Sequence, residues 1–288
     1  MLKRLMVFIL AGLALLGPCM TLAEELWLVV EGASADEASA GRLRAGLPSG
    51  WTLSVQRMGA VSWGRCAEVR LVLVEGEAAA MAALHGCPQA RVWAYSLPMR
   101  SLESVRKGAP GRLSGIGADP PLARQVAVLA TIAPRPRVIA VPYSPASAMQ
   151  AREAEGILLA HGFQALLLPV RPDEQPLRPL REVLADVQAV LALPDPALYH
   201  EGLLRHWLLM TAREGVPMVG GLGRHDVRRG VAAAAVQPQA AAVDLTLRLL
   251  PRLVGDEALP PPQVLEDSQP IHNPFMLERL GLRLEGPQ

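Results

Sequence analysis

The chain has 288 residues, 51% of them apolar and 19% charged, with 28 basic side chains against 27 acidic ones and a formal charge of +1. A balance this close to neutral leaves no electrostatic footprint for nucleic acid or an anionic membrane, and the apolar content excludes a disordered, solvating chain. The length exceeds one ordinary domain and suits two lobes of ordinary size.

The first residues read as an export signal. Lys3 and Arg4 form a positive start, residues 5–16 are an apolar run, and Gly17-Pro18 breaks it. Thr21-Leu22-Ala23 then supplies small residues where a signal peptidase needs them, so cleavage is expected between Ala23 and Glu24. The run is too short to stay in a bilayer, and removing it takes the formal charge from +1 to −1. Cys19 follows Leu16 as in a lipoprotein signal, but Pro18 directly before the cysteine departs from a lipidation site. The mature chain is therefore expected to be a periplasmic, monomeric protein in which residues 231–236 are apolar but far too short to cross a membrane.

In chain order, residues 26–30 read as a buried strand, 35–47 as a helix, and 51–55 as an alternating strand near a sheet edge. Residues 69–74 and 92–95 are further apolar strands, with a helix over 78–84 between them. Cys66 and Cys87 each fall a few residues before one of these strands. If the strands are parallel neighbours, the cysteines share one sheet edge within bridging reach. A disulfide fits an oxidising compartment, and two separate buried thiols remain the other reading.

A glycine-rich junction over 111–117 divides the chain. Asp119-Pro120-Pro121 then reads as a helix start, Asp119 as N-cap and Pro120 as first helical residue, with Leu122, Val126, Leu129 and Ile132 on one face. A strand over 138–141 precedes a helix that opens at Ser144-Pro145 and closes at His161-Gly162. Strands over 165–168, 187–193 and 216–219 alternate with helices over 177–184 and 197–213. A long helix over 239–253 and the run Pro260-Pro261-Pro262 lead into the final segment. Two successive sets of apolar strands and helices indicate an α/β protein with two lobes, each a parallel sheet covered on both faces.

No enzyme constellation emerges. The first strand exits through Glu31-Gly32-Ala33-Ser34, which is not a dinucleotide-binding glycine pattern, and Gly220-Gly221-Leu222-Gly223 lacks the lysine of a phosphate loop. There is no nucleophile elbow and no zinc-protease pattern. His200 and His206 lie on different helical faces, so no metal pair is expected, and Arg224, Arg228 and Arg229 beside His225 read as a solvated face. Asp195 with His200 is the nearest thing to a catalytic pair, and no cofactor is implied.

In open parallel sheets, ligands bind beyond the carboxyl ends of the strands. Those ends carry Glu31, Glu75, Ser96, Tyr143, Ser144, Asp195 and Gly220, the candidate ligand-binding residues. Ser144 offers a hydroxyl and a helix N-terminus to a carboxylate, Tyr143 an apolar face with a polar tip, and Asp195 an acceptor for ammonium or hydroxyl. Each also has a plain structural role: Ser144 as an N-cap, Asp195 as a turn former between two prolines, Tyr143 as packing.

Leu191-Ala-Leu-Pro-Asp-Pro-Ala-Leu-Tyr199, Gly215-Val-Pro-Met-Val-Gly220, Val227-Arg-Arg-Gly-Val-Ala-Ala-Ala-Ala235 and Asn273-Pro-Phe-Met-Leu-Glu-Arg-Leu-Gly-Leu282 resemble substrate-binding proteins of ABC transporters of the TrpX-like kind. The resemblance runs from about residue 115 to the end and is weak before it. It implies a type I periplasmic binding fold, with two Rossmann-like three-layer lobes joined by a hinge that closes over a small molecule. The implied lobes are 24–115 with 237–263, and 116–236 with 264–288. The implied partners are a small-molecule ligand, an amino acid or related polar solute, and an inner-membrane ABC permease. A ligand-sensing or scaffold protein on the same fold, acting through a sensor or receptor partner, is the alternative. Family members often carry serine or tyrosine where this chain has Gly220-Gly221-Leu222-Gly223, so one cleft wall lacks side-chain donors.

Overall fold

The computed structural model describes residues 24–30, 37–221 and 223–285. The leader, its cleavage site and Glu31 lie outside the described residues. The first strand, β1 (Glu24–Val30), is followed by α1 (Glu37–Gly46), β2 (Trp51–Arg57), β3 (Leu71–Glu75), α2 (Glu77–Gly86), β4 (Arg91–Leu97), α3 (Met99–Gly108) and β5 (Leu113–Gly117). Next come α4 (Leu122–Ala130), β6 (Ile132–Ala133), β7 (Val138–Tyr143), α5 (Ala148–Ala160), β8 (Gln164–Pro169), α6 (Arg178–Val183) and β9 (Ala189–Ala192). The rest is α7 (Pro196–Tyr199), α8 (Glu201–Arg213), β10 (Met218–Gly220), α9 (Arg224–Arg229), β11 (Ala233–Val236), α10 (Gln239–Val254), β12 (Gln263–Val264), β13 (Gln269–His272), α11 (Pro274–Arg279) and β14 (Arg283–Leu284).

Twelve of these strands form two six-stranded sheets, β12-β5-β4-β3-β1-β2 and β13-β11-β10-β9-β7-β8, and β14 pairs antiparallel with β6 in a small ribbon. Every pairing in the first is parallel, and in the second only β13 runs antiparallel, against β11. Continuous apolar strands fit such sheets because helices take water off both faces. Leu26, Leu28 and Trp93 pack with Leu43 of α1 and Val243 and Leu250 of α10, while Trp27, Val29 and Val72 pack with Ala80 of α2 and Leu102 of α3 on the opposite face. The second sheet is layered likewise, with Val126, Ala151 and Leu158 on one face and Leu180, Leu204 and Trp207 on the other. β2, whose residues alternate, sits at the edge of its sheet.

The chain passes between the sheets after β5, after β11 and after β12. The helix α10 packs on the first sheet, where Trp93 donates its indole N–H to Thr246 Oγ1 at 3.0 Å in a buried contact.

The glycine-rich junction at 111–117 is mostly strand. It holds β5, whose five residues are all buried. A Cβ on Gly115 would stand 2.1 Å from the Ala94 carbonyl oxygen, so glycine here permits close strand approach rather than flexibility. Helix α3 carries only Leu102 and Val105 as buried residues, too sparse a stripe to mark it in the sequence. The single helix expected over 197–213 is two, separated at His200, whose ψ of 159° is extended. Asp195 caps the short first piece by accepting from the Ala197 N–H at 3.0 Å, and the Leu198 carbonyl accepts from the Trp207 indole at 2.9 Å.

Cys66 and Cys87 are bridged, with Cα atoms 5.4 Å apart. They precede β3 and β4, which are parallel neighbours, so the edge geometry that permits the bridge is present.

Candidate functional site

A cleft of about 250 Å³ opens where strand carboxyl ends from both sheets meet two of the crossovers. One wall is Tyr95 at the end of β4 with Pro98 behind it; the facing wall is Gly221, Gly223 and Arg224. The floor comes from the crossovers themselves, Asp119 after β5 and Gln237 after β11. Strand ends converge there because parallel strands share one direction, which places the loops that follow them on one rim.

Asp119 is the cleft's carboxylate. It does not cap α4, whose N-cap is Pro121 with no side-chain bond. Instead its Oδ2 accepts from the backbone N–H of Met99 at 2.6 Å, at the start of α3. The sequence expectation fails here because the two prolines carry no N–H to be capped, while α3, entered from Pro98, leaves its first amide unpaired. Burial raises the Asp119 carboxyl above its ordinary pKa, and the Met99 amide and the Arg100 charge only partly offset this. Its carbonyl accepts from Gln237 Nε2 at 3.2 Å, joining the two crossovers. Arg224, the first residue of α9, is exposed.

A buried network sits behind the second sheet's strand ends. Ser144 and Asp195 are 1% and 2% exposed. The Ser144 hydroxyl donates to Asp195 Oδ2 at 2.6 Å, the Ser144 N–H donates to the same oxygen at 3.2 Å, and the Ser147 hydroxyl donates to it as well. Ser144 Oγ accepts from the Ala146 N–H at 3.1 Å, the N-cap geometry expected of it. Burial alone pushes the Asp195 carboxyl up; the Ser144 and Ser147 hydroxyls and the Ser144 and Ala197 amides outweigh it and hold the pKa below the ordinary value. The acceptor capacity of Asp195 is thus taken up by its own chain, and the pair ties the end of β7 to the turn after β9.

The remaining candidates are dispersed. Glu75 Oε2 accepts from the Tyr95 hydroxyl at 3.0 Å, so it meets the cleft through Tyr95. Ser96 pairs in register with Glu75. Tyr143 packs against the core between α4, α5 and the second sheet. Gly220 lies just behind the wall at φ 138°, where a Cβ would stand 2.3 Å from the Ala192 carbonyl oxygen, so only glycine fits. Of the cleft's charged pair, Asp119 reads in the sequence as a cap and Arg224 as solvated surface. The signal that points to both is position, since a two-lobed protein places its crossovers and strand exits at the cleft.

Among the described residues no group of three or more His, Cys, Asp or Glu is placed to hold a metal ion, and no helix is long and apolar enough to cross a membrane.

No protein-family model matches the chain, and no curated protein matches it. Its architecture does match solved structures. A ligand-free, open substrate-binding protein with adhesive properties from Clostridium difficile superposes with a TM-score of 0.62 at 14% identity, over 92% of this chain and 96% of that one. An ABC domain in complex with L-Trp from Streptococcus pneumonia gives 0.59 at 14% identity, over 91% and 96%. A conserved domain protein from Vibrio cholerae gives 0.58 at 11% identity, over 91% and 96%. With two parallel-sheet lobes, three crossovers and these neighbours, the chain has the type I periplasmic binding protein fold.

Proposed function

We propose that this protein is an extracytoplasmic solute-binding protein that captures a small polar molecule in the interlobe cleft and delivers it to an ABC importer. The lobes 24–115 with 237–263 and 116–236 with 264–288 would move as two bodies about the crossovers. The observation that carries the reading is the cleft itself, where strand ends of both lobes bring one carboxylate, Asp119, and one guanidinium, Arg224, to a shared space. Opposite charges on floor and wall suit a zwitterion, with Arg224 taking a carboxylate in two parallel hydrogen bonds and Asp119 taking an ammonium. An α-amino acid or a close relative has that chemistry, and the small volume limits its size. No catalysis is proposed, because the carboxylate of the nearest catalytic pairing, Asp195, is occupied by Ser144, Ser147 and Ala197.

Isothermal titration of the mature protein with amino acids, small carboxylates, purines and pyrimidines tests this. One chemical class should bind, and Asp119→Ala or Arg224→Ala should each weaken it at least tenfold. Loss of a hydrogen bond to a charged group removes about 1.5–3 kcal/mol, and 1.4 kcal/mol is tenfold. The second reading, a sensor or scaffold on this fold, is favoured by the cleft's size, below the roughly 300–1,000 Å³ of ordinary ligand pockets. Absence of binding by every class to a folded sample would support it over transport.

A further inference from the structure

A larger cavity lies on the outer side of the second lobe, away from the cleft. It measures about 580 Å³ and is bounded by α8, the turn at Gly230 after α9, and α11. Its floor is apolar, formed by Leu204, Leu208 and Met276. Leu209, 48% exposed, continues this surface to the rim. Four arginines stand around it: Arg205 and Arg213 on α8, Arg229 at the end of α9 and Arg279 at the end of α11. No carboxylate lines the cavity, and all four guanidinium-bearing residues are exposed. Arg205, Arg213 and Arg279 thus bring positive charge from two helices to the edge of an apolar surface.

We propose that this cavity binds a free, single-chain anionic amphiphile, its apolar chain on the leucine floor and its acidic head among the arginines. The shape and the charges argue together. A volume in the range of small-ligand pockets suits one chain. Arginine matches carboxylate, phosphate or sulfonate oxygens in pairs. This site is independent of the interlobe cleft and of what the cleft binds.

The test titrates the mature protein, below the micellar concentration, with sodium dodecanoate, dodecyltrimethylammonium bromide and dodecanol. Dodecanoate should bind saturably with one site, dodecanol at least tenfold more weakly, and the ammonium salt not at all. The exposed double variant Arg213→Glu/Arg279→Glu, and separately Leu209→Glu, should each raise the dodecanoate Kd at least tenfold with no change in Tm. Asp119→Ala in the cleft should leave it unchanged. Equal binding of the cationic amphiphile, or a dodecanoate Kd unmoved by both variants, overturns the proposal. So does binding confined to phosphatidylglycerol vesicles, which would make this a membrane-facing patch, or confined to an acidic amphipathic peptide, which would make it a protein dock.

Discussion

Asp195 shows how much a single buried carboxylate organises. At 2% exposure an ionised group is costly unless it is fully hydrogen-bonded, and here two hydroxyls and two amides donate to it. Substituting Asp195→Asn keeps the shape and removes the charge, and turns one acceptor oxygen toward donors as an NH2 group. The expected cost is about 2–3 kcal/mol at pH 7, read from urea unfolding. The pH dependence has a definite sign. A folded-state pKa below the unfolded value of about 3.9 contributes stability that is complete well above that value and is lost as pH falls through the folded pKa. The gap between native and Asp195→Asn should therefore narrow below about pH 4. A gap that stays constant to pH 2 would show that packing rather than charge carries the effect.

At the scale of elements, the lobes are stacked by helices on sheets, and one covalent link reinforces the first of them. The Cys66–Cys87 bridge spans 21 residues containing β3 and α2. A cross-link of that span stabilises by about 3 kcal/mol, mainly by restricting the unfolded chain. Reduction, or the double change Cys66→Ala/Cys87→Ala, should lower the urea midpoint accordingly without altering the circular dichroism of the folded protein. Leu71 to Val74 of β3 and Val92 to Tyr95 of β4 are buried beside the bridge, so folding is expected to survive its loss. An unchanged midpoint after verified thiol release would mean that the unfolded chain is already compact over this stretch.

For the whole molecule, the question is what holds the lobes at their observed angle. One direct link crosses beside the crossovers: the Arg100 guanidinium at the start of α3 donates to the Ala146 carbonyl at the end of β7's loop. The contact is exposed, so its net worth is about 0.5–1 kcal/mol, a two- to fivefold bias toward the closer-lobed state. Arg100→Ala should thus increase the radius of gyration measured by small-angle scattering in the absence of ligand. A scattering curve identical to that of the native chain would leave the crossovers alone, through bonds such as Gln237 to the Asp119 carbonyl, as the determinant of lobe geometry.

The alternation of apolar strands with helical stretches determined the α/β class and the two-lobed plan, because a parallel sheet buried on both faces leaves its mark in unbroken runs such as residues 26–30 and 189–193. It marked β2 as an edge, since half-wet strands alternate, and it placed Cys66 and Cys87 each before a strand, while the pairing of β3 with β4 that brings them together is tertiary. The tertiary structure alone decided three further matters. Glycines at 115 and 220 serve close backbone contact, which depends on the neighbouring strand and not on local sequence. Asp119 satisfies a helix 20 residues earlier in the chain, a pairing no local capping rule contains. Asp195 and Ser144, promising as ligand groups when read one at a time, consume each other's hydrogen-bonding capacity once β7 and β9 lie side by side. Local periodicity reports which faces are dry, whereas the partner of a polar group is set by segments far away along the chain.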